Sequence, residues 1–265
     1  MNKNHYHLRI RKERGWRILV IIPIMILMFT DFGRGGPYLG QMRLSIERHA
    51  PGIPVLDLMS DLTPLNPRAA AYLLASLSAE IPPGSVLLGV VDPGVGTESR
   101  QPVVMRAADR WYVGPGNGLF SIVAQQYPPS QVWEISWRPS RLSDSFHGRD
   151  LFAPVAAMLV CGEEVPGEPV DSAAIGPQDW PDDLPEIIYL DEFGNAMTGM
   201  RASIVDAGEP LQVRGHTVSP ARTFGEVAPG EGFWYANSCG LVEIAVNGGS
   251  AGEQLGLQVG DQVRL

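Results

Sequence analysis

The chain has few of the residues that tie a protein to a metal, a disulfide framework or a nucleic acid. Only two cysteines, Cys161 and Cys239, occur in 265 residues, at no spacing that suits a zinc site or a bridged scaffold. A reduced, cytoplasmic setting with no metal is the expectation. Positive charge is also scarce: 20 Lys and Arg against 29 Asp and Glu give a net charge of −9. Six of the basic side chains lie in residues 1–24, which leaves 14 basic against 28 acidic for the rest. An acidic body argues against nucleic acid as the main partner and tolerates a cationic small molecule. GxGxxG and Gly-Lys-Ser/Thr loops are both missing, which removes the common phosphate grips. Long apolar runs are missing too: Ile18–Phe29 is twelve residues, short of the ~20 that span a bilayer. Its basic flank resembles the start of a signal peptide, but TDFG follows it where a small-residue cleavage pattern would stand. The preferred reading is a basic tail (1–24) running into the first buried strand, with a signal peptide or membrane anchor in 1–29 as the alternative.

What is present is turn chemistry and alternation. Thirty glycines and 23 prolines punctuate short apolar segments. Helices are expected at 37–49, 67–79, 119–126 and 151–160, and strands at 55–58 and 86–91. A hairpin is expected to pair 103–105 with 111–113 across Ala108-Asp109. Residues 25–165 therefore read as an α/β domain with a largely parallel central sheet. A Pro-, Gly- and acid-rich stretch, 166–185, reads as a linker. Residues 186–265 read as a small all-β, barrel-like domain, with strands near 187–190, 211–213, 233–235, 241–246 and 262–265 and a helical piece at 250–255.

Chemistry-bearing residues fall where such a fold collects ligands, at strand carboxyl ends and helix amino ends. Asp31 ends the first strand beside Gly33, Gly35 and Gly36; it either grips a ribose or caps the helix after Pro37. Asp92 precedes Pro93 and Gly94 and either projects into a crevice or shapes the turn. His147, one of five histidines, opens the helix after Gly148 and is either a catalyst or a structural contact. Asn195 is a nucleoside contact or a turn residue, and Phe224 and the run 237–240 are a ligand-facing wall or core and turn.

Read together, the segments resemble the S-adenosylmethionine (SAM) hydroxide adenosyltransferase family, relatives of the SAM-dependent chlorinases and fluorinases. The likeness rests on TDFG at 30–33, PYLGQM at 37–42, DLMSDLTPLNPRAAAYLL at 57–74, VDPGVG at 91–96, GPGNGL at 114–119 and FHGRDLFAPVAA at 146–157. DEFGN at 191–195 and NSCGLVEIAVNGGSAGEQLGL at 237–257 extend it to the carboxyl end. It implies a homotrimer with SAM held where one subunit's amino-terminal domain meets its neighbour's barrel, and no cofactor beyond SAM as substrate. It implies release of adenosine and L-methionine by an activated water. Asp92, Arg100 and His147 would activate that water. Asp31 and Asn195 would hold the nucleoside, Phe193 and Phe224 would pack beside it, and Asp191 and Ser238 would meet the methionine end. Glu243, Val246 and Asn247 would line the adenine edge. The chain departs from the family at Ser99, where an arginine pair usually follows the glycine loop, and at Gly36, Gly116 and Cys239. A halogenase, or a SAM- or adenosine-binding protein with impaired catalysis, are the competing functions. Against a halogenase, only a short hairpin joins Gln101 to Trp111, and Asp92 is present.

Overall fold

The structure, a computed structural model, describes residues 6–13, 16–97, 100–128 and 130–265. It divides into two compact units: the chain up to Pro67 with Ser78–Gln178, and Arg68–Leu77 with Asp179–Leu265.

In the first unit, β1 (Tyr6–Glu13) and β2 (Trp16–Pro23) form an antiparallel hairpin. The run expected as one strand from Ile18 to Phe29 is thus cut in two. Pro23 offers no N–H to continue a ladder, and β3 (Ile26–Thr30) starts afresh after Ile24 and Met25. Among the described residues no helix is long and apolar enough to cross a membrane; residues 1–5 of the basic tail lie outside the described residues.

The chain continues through α1 (Tyr38–His49), β4 (Val55–Met59), α2 (Pro67–Leu77), β5 (Val86–Val90), β6 (Pro102–Ala107) and β7 (Arg110–Pro115). After these come α3 (Ser121–Gln126), β8 (Gln131–Ile135), α4 (Ala153–Val160) and β9 (Gly167–Val170). The seven-stranded sheet runs β4-β3-β5-β7-β6-β8-β9. Its first four strands are parallel, whereas β7-β6, β6-β8 and β8-β9 pair antiparallel. The sheet is therefore mixed, which corrects the expectation of a largely parallel one. The cause is local. Ala108 (φ 48°) and Asp109 (φ 58°) make a two-residue turn, and such a turn can join only antiparallel neighbours.

β3 and β5 are buried along their whole length, as strands covered on both faces must be. On one face α1 and α4 bury Met42, Ile46 and Val155 against Ile26, Met28, Leu88, Val104 and Val113. The stretch read as a linker carries β9, which extends the sheet beyond β8. A Gly-Glu-Pro-Val strand at a sheet edge has too little apolar alternation to be read from sequence. α2 clusters with the second unit: Tyr72 Oη donates to the Pro181 carbonyl at 2.6 Å, and Arg68 pairs with Glu186 at 3.5 Å.

The second unit holds β10 (Leu184–Leu190), β11 (Ala196–Arg201), β12 (Leu211–Val213), β13 (His216–Pro220), β14 (Gly232–Ala236), β15 (Leu241–Val246), the short α5 (Ala251–Gln254) and β16 (Val263–Arg264). Its seven-stranded sheet runs β10-β11-β15-β14-β13-β12-β16. A bridge between Glu186 and Gln262 joins the two outer strands, so the sheet nearly closes into a barrel, which removes most of its free edge. Ile187, Met200, Leu211, Val218, Trp234, Ile244 and Val263 fill it. β11 was not foreseen because Gly199 interrupts its apolar pattern; a Cβ there would meet the Leu184 Cβ at 2.7 Å, so the close strand approach requires glycine.

Candidate active site

The parallel half of the first sheet ends in three loops that carry candidate residues. Asp31 follows β3, Asp92 follows β5 and Asn117 follows β7, all at the carboxyl ends of adjacent parallel strands, the usual ligand edge of such sheets. His147 is placed by a helix amino end instead of a strand carboxyl end. It precedes a single π-helical turn, Gly148–Phe152, that leads into α4; such turns are frequent at functional positions.

Asp92, Arg100 and His147 meet. Arg100 Nε donates to Asp92 Oδ1 at 3.1 Å and Nη2 donates to Oδ2 at 2.5 Å. Both side chains are buried, 5% and 4% exposed, so this is a bidentate, desolvated pair whose disruption leaves an uncompensated charge. The same Nη2 reaches His147 Nδ1 at 2.9 Å. Guanidinium has no acceptor, so Nδ1 must present its lone pair and the imidazole proton must sit on Nε2. Burial, then the Arg100 charge, lowers the His147 pKa from its ordinary value, while Asp92 pulls it upward. The ring is therefore neutral at pH 7 and presents an N–H donor on Nε2. The guanidinium also lies 5.4 Å from the centre of the Phe152 ring.

Backbone packing fixes these loops. Gly96 has φ 77°, and a Cβ on it would meet the Asp144 carbonyl oxygen at 2.2 Å; glycine alone lets the Asp92 loop lie against the segment that carries His147. Asn117 Nδ2 donates to the Val91 carbonyl at 2.8 Å, pinning the residue before Asp92. The departure at Gly116 has a steric reason, since a Cβ there would stand 2.1 Å from the Ala174 carbonyl oxygen. No comparable contact constrains Gly36. Ser99 lies outside the described residues; Arg100 supplies the guanidinium.

Asp31 does not cap α1, whose first residue has no side-chain cap. Its Oδ2 instead accepts the Leu65 N–H at 2.9 Å and holds Leu65 at a left-handed φ of 58°. Burial raises the Asp31 pKa, backbone hydrogen bonds oppose this, and the Asp92 charge adds a smaller upward push.

The second unit contains a cavity of about 780 Å³ lined by Asp191, Phe193, Asn195, Phe224, Ser238, Glu243 and Val246, together with Met197, Tyr235 and Asn237. Its mouth is aromatic: Phe193 is 79% and Phe224 36% exposed, large values for phenylalanine. Phe224 packs edge-on to Phe233 at 5.0 Å and lies 5.6 Å from Tyr235. Asp191 Oδ1 accepts the N–H groups of Phe193 and Asn195 at 2.9 and 2.8 Å, and Oδ2 accepts from Asn195 Nδ2 at 3.0 Å. The carboxylate thus shapes the turn that presents both neighbours, and Gly194 (φ 80°) completes that turn.

Of the expected contacts in this half only Asn247 stands outside the cavity lining; its Nδ2 donates to the Val227 carbonyl at 2.6 Å, an anchor for the preceding loop. Glu243 sits behind Tyr235 and Asn237, accepting the Tyr235 hydroxyl and Asn237 Nδ2 at 2.8 Å. The sequence reading did not single out Tyr235. It joins the site because β14 and β15 pair it directly opposite Glu243, a register that composition does not reveal.

With this geometry in place, comparison with known proteins gives a consistent result. Residues 26–167 match the SAM hydroxide adenosyltransferase N-terminal domain and residues 185–264 match the C-terminal domain of the same family. The chain belongs to the SAM hydroxide adenosyltransferase family. It is 39% identical over 260 residues, covering 91% of this chain and 98% of the relative, to the (R)-S-adenosyl-L-methionine hydrolase of Thermus thermophilus. A fluorinase from Actinopolyspora mzabensis is a more distant relative, 24% identical over 293 residues, with 92% of this chain and 97% of the fluorinase covered. The crystal structure of an uncharacterized conserved protein from Thermotoga maritima superposes with a TM-score of 0.81 at 35% identity, covering 91% of this chain and 99% of that one.

Proposed function

We propose that this protein hydrolyses SAM to adenosine and L-methionine, with water attacking the 5′ carbon. The observation that carries the reading is the buried Asp92–Arg100–His147 set, in which a neutral imidazole and a carboxylate share one guanidinium. Methionine leaves from a sulfonium as a neutral thioether, so the leaving group needs no proton from an acid. The remaining task is to orient a water and accept its proton as the C–O bond forms and the C–S electron pair stays on sulfur. His147 Nε2–H can donate to the water oxygen, and the second lone pairs of Asp92 can accept from its hydrogen. Arg100 orients the carboxylate through two hydrogen bonds, and its charge helps hold the imidazole neutral. The relative from Thermus thermophilus, named for this activity, supports the reading.

In the same proposal Asp31 and Asn195 hold the nucleoside, Phe193 and Phe224 cover it, and Asp191 and Ser238 receive the methionine end. No cofactor is required, because SAM is itself the substrate. The proposed assembly is a homotrimer in which a neighbour's second unit completes each site; mixing Asp92→Ala with Asn195→Ala subunits should then restore activity that neither variant has alone. A binder without catalysis draws on Ser99 and on Gly36 and Gly116, where the family usually carries acidic or amide residues; the contacts of Arg100 with Asp92 and His147 favour catalysis. The deciding assay incubates the protein with SAM and excess chloride. Adenosine with stoichiometric methionine is expected; 5′-chloro-5′-deoxyadenosine as the main product, or intact SAM, refutes the proposal.

A further inference from the structure

The cavity of the second unit is anionic in an unusual way. Among its lining residues are two carboxylates, Asp191 and Glu243, and no Lys, Arg or His. Asp191 is held by neutral N–H groups of its own turn, and Glu243 is 3% exposed; neither has a cationic partner among the described residues. The Glu243 carboxylate is held only by the Tyr235 hydroxyl and by Asn237 Nδ2 at 2.8 Å. Burial first, and the bond to Glu243 second, push the Tyr235 pKa upward, so that hydroxyl keeps its proton and donates it. Asn237 is fixed in turn, its Oδ1 accepting the N–H groups of Cys239 and Leu241 at 2.9 and 3.0 Å.

A buried carboxylate is normally paired with a cation. Here two neutral donors satisfy its oxygens without cancelling its charge, and solvent ions cannot screen it well. Its field therefore extends into an aromatic-walled cavity that contains no positive group of its own. We infer that Glu243, positioned by Tyr235 and Asn237, is a specificity-determining residue that selects a ligand carrying positive charge at sulfur over its neutral analogue. This rests on the proposed use of SAM but concerns discrimination rather than turnover. Glu243 then acts through space on the sulfonium, in place of the direct adenine contact that the family resemblance implies for it. The preference also serves release, because adenosine and the methionine thioether no longer carry the sulfonium charge.

The test uses full-length protein carrying Asp92→Ala, so that SAM survives the measurement, and determines dissociation constants for SAM, S-adenosylhomocysteine and adenosine by calorimetry. SAM should bind at least about ten-fold more tightly than S-adenosylhomocysteine, an effect of the size expected for one buried charge at intermediate range. Adding Glu243→Gln should reduce that ratio about ten-fold and leave adenosine affinity within about two-fold. Tyr235→Phe retains the charge and should retain most of the ratio. S-adenosylhomocysteine binding as tightly as SAM to the Asp92→Ala protein overturns the inference with no need of a second variant. So does a Glu243→Gln protein that weakens all three ligands equally, which would mark a purely architectural role. Adenosine release by the unmodified protein is scored separately, so failure of the hydrolase reading and failure of the charge preference are distinguishable.

Discussion

The two halves of the machinery handle charge in opposite ways. In the first unit Asp92, Arg100 and His147 form a closed set, each charge answered within bonding distance and both ionic side chains almost wholly buried. In the second unit the cavity has acceptors and exposed rings but no cation of its own. A closed set is suited to chemistry, because its geometry is organised before any ligand arrives. An open, anionic and aromatic cavity is suited to recognition, because part of its electrostatic satisfaction waits for the ligand. In the proposed function, side chains that make the same type of bond would then serve reaction in one region and selection in the other.

That contrast is broken most strongly at Arg100. Arg100→Ala should lower kcat by at least about a hundred-fold and cost stability on the order of 3–5 kcal/mol, because Asp92 is left buried without its partner; steady-state kinetics and thermal melts report both. Normal kcat in a folded Arg100→Ala protein would show that the set is structural only. The pH profile sharpens the same half. Since the His147 pKa lies below the ordinary histidine value of 6.5, kcat should hold steady as pH falls through 6.5 and drop only at more acid pH. For stability the sign is the same. Between the lowered folded value and 6.5 the unfolded chain binds the extra proton, so the His147 contribution is present above 6.5 and is lost as pH falls toward the folded value. An acid limb centred above 6.5 would contradict the neutral, Arg100-facing ring. The smallest effect belongs to the open cavity: Phe224→Ala should raise KM for SAM roughly ten-fold, in line with the loss of one stacking ring, while kcat changes by less than about three-fold. A kcat loss larger than the KM change would move Phe224 from recognition into chemistry.

Much of this was legible in the chain itself. Two-residue turns, Pro-led helices and apolar alternation placed α1, α2, β4, β5 and the β6-β7 hairpin close to where they stand, because each depends on local backbone preference. Beyond that hairpin, pairing partners were not legible. The antiparallel pairing of β6 with β8 and of β8 with β9, and the pairing of β11 interrupted by Gly199, depend on contacts between segments distant in sequence.

The site divides along the same line. Which residue types gather at the strand ends, and the family they resemble, follow from the order of motifs along the chain. The resemblance grouped Arg100 with Asp92 and His147, but that one guanidinium nitrogen bridges both, that Asn247 braces a loop instead of lining the cavity, and that Tyr235 stands opposite Glu243 were decided by folding. Local preferences are encoded within a few residues. The direction in which a side chain points, and which charge is left without a partner, depends on strand register and close packing between segments far apart in the chain, which are properties of the assembled fold.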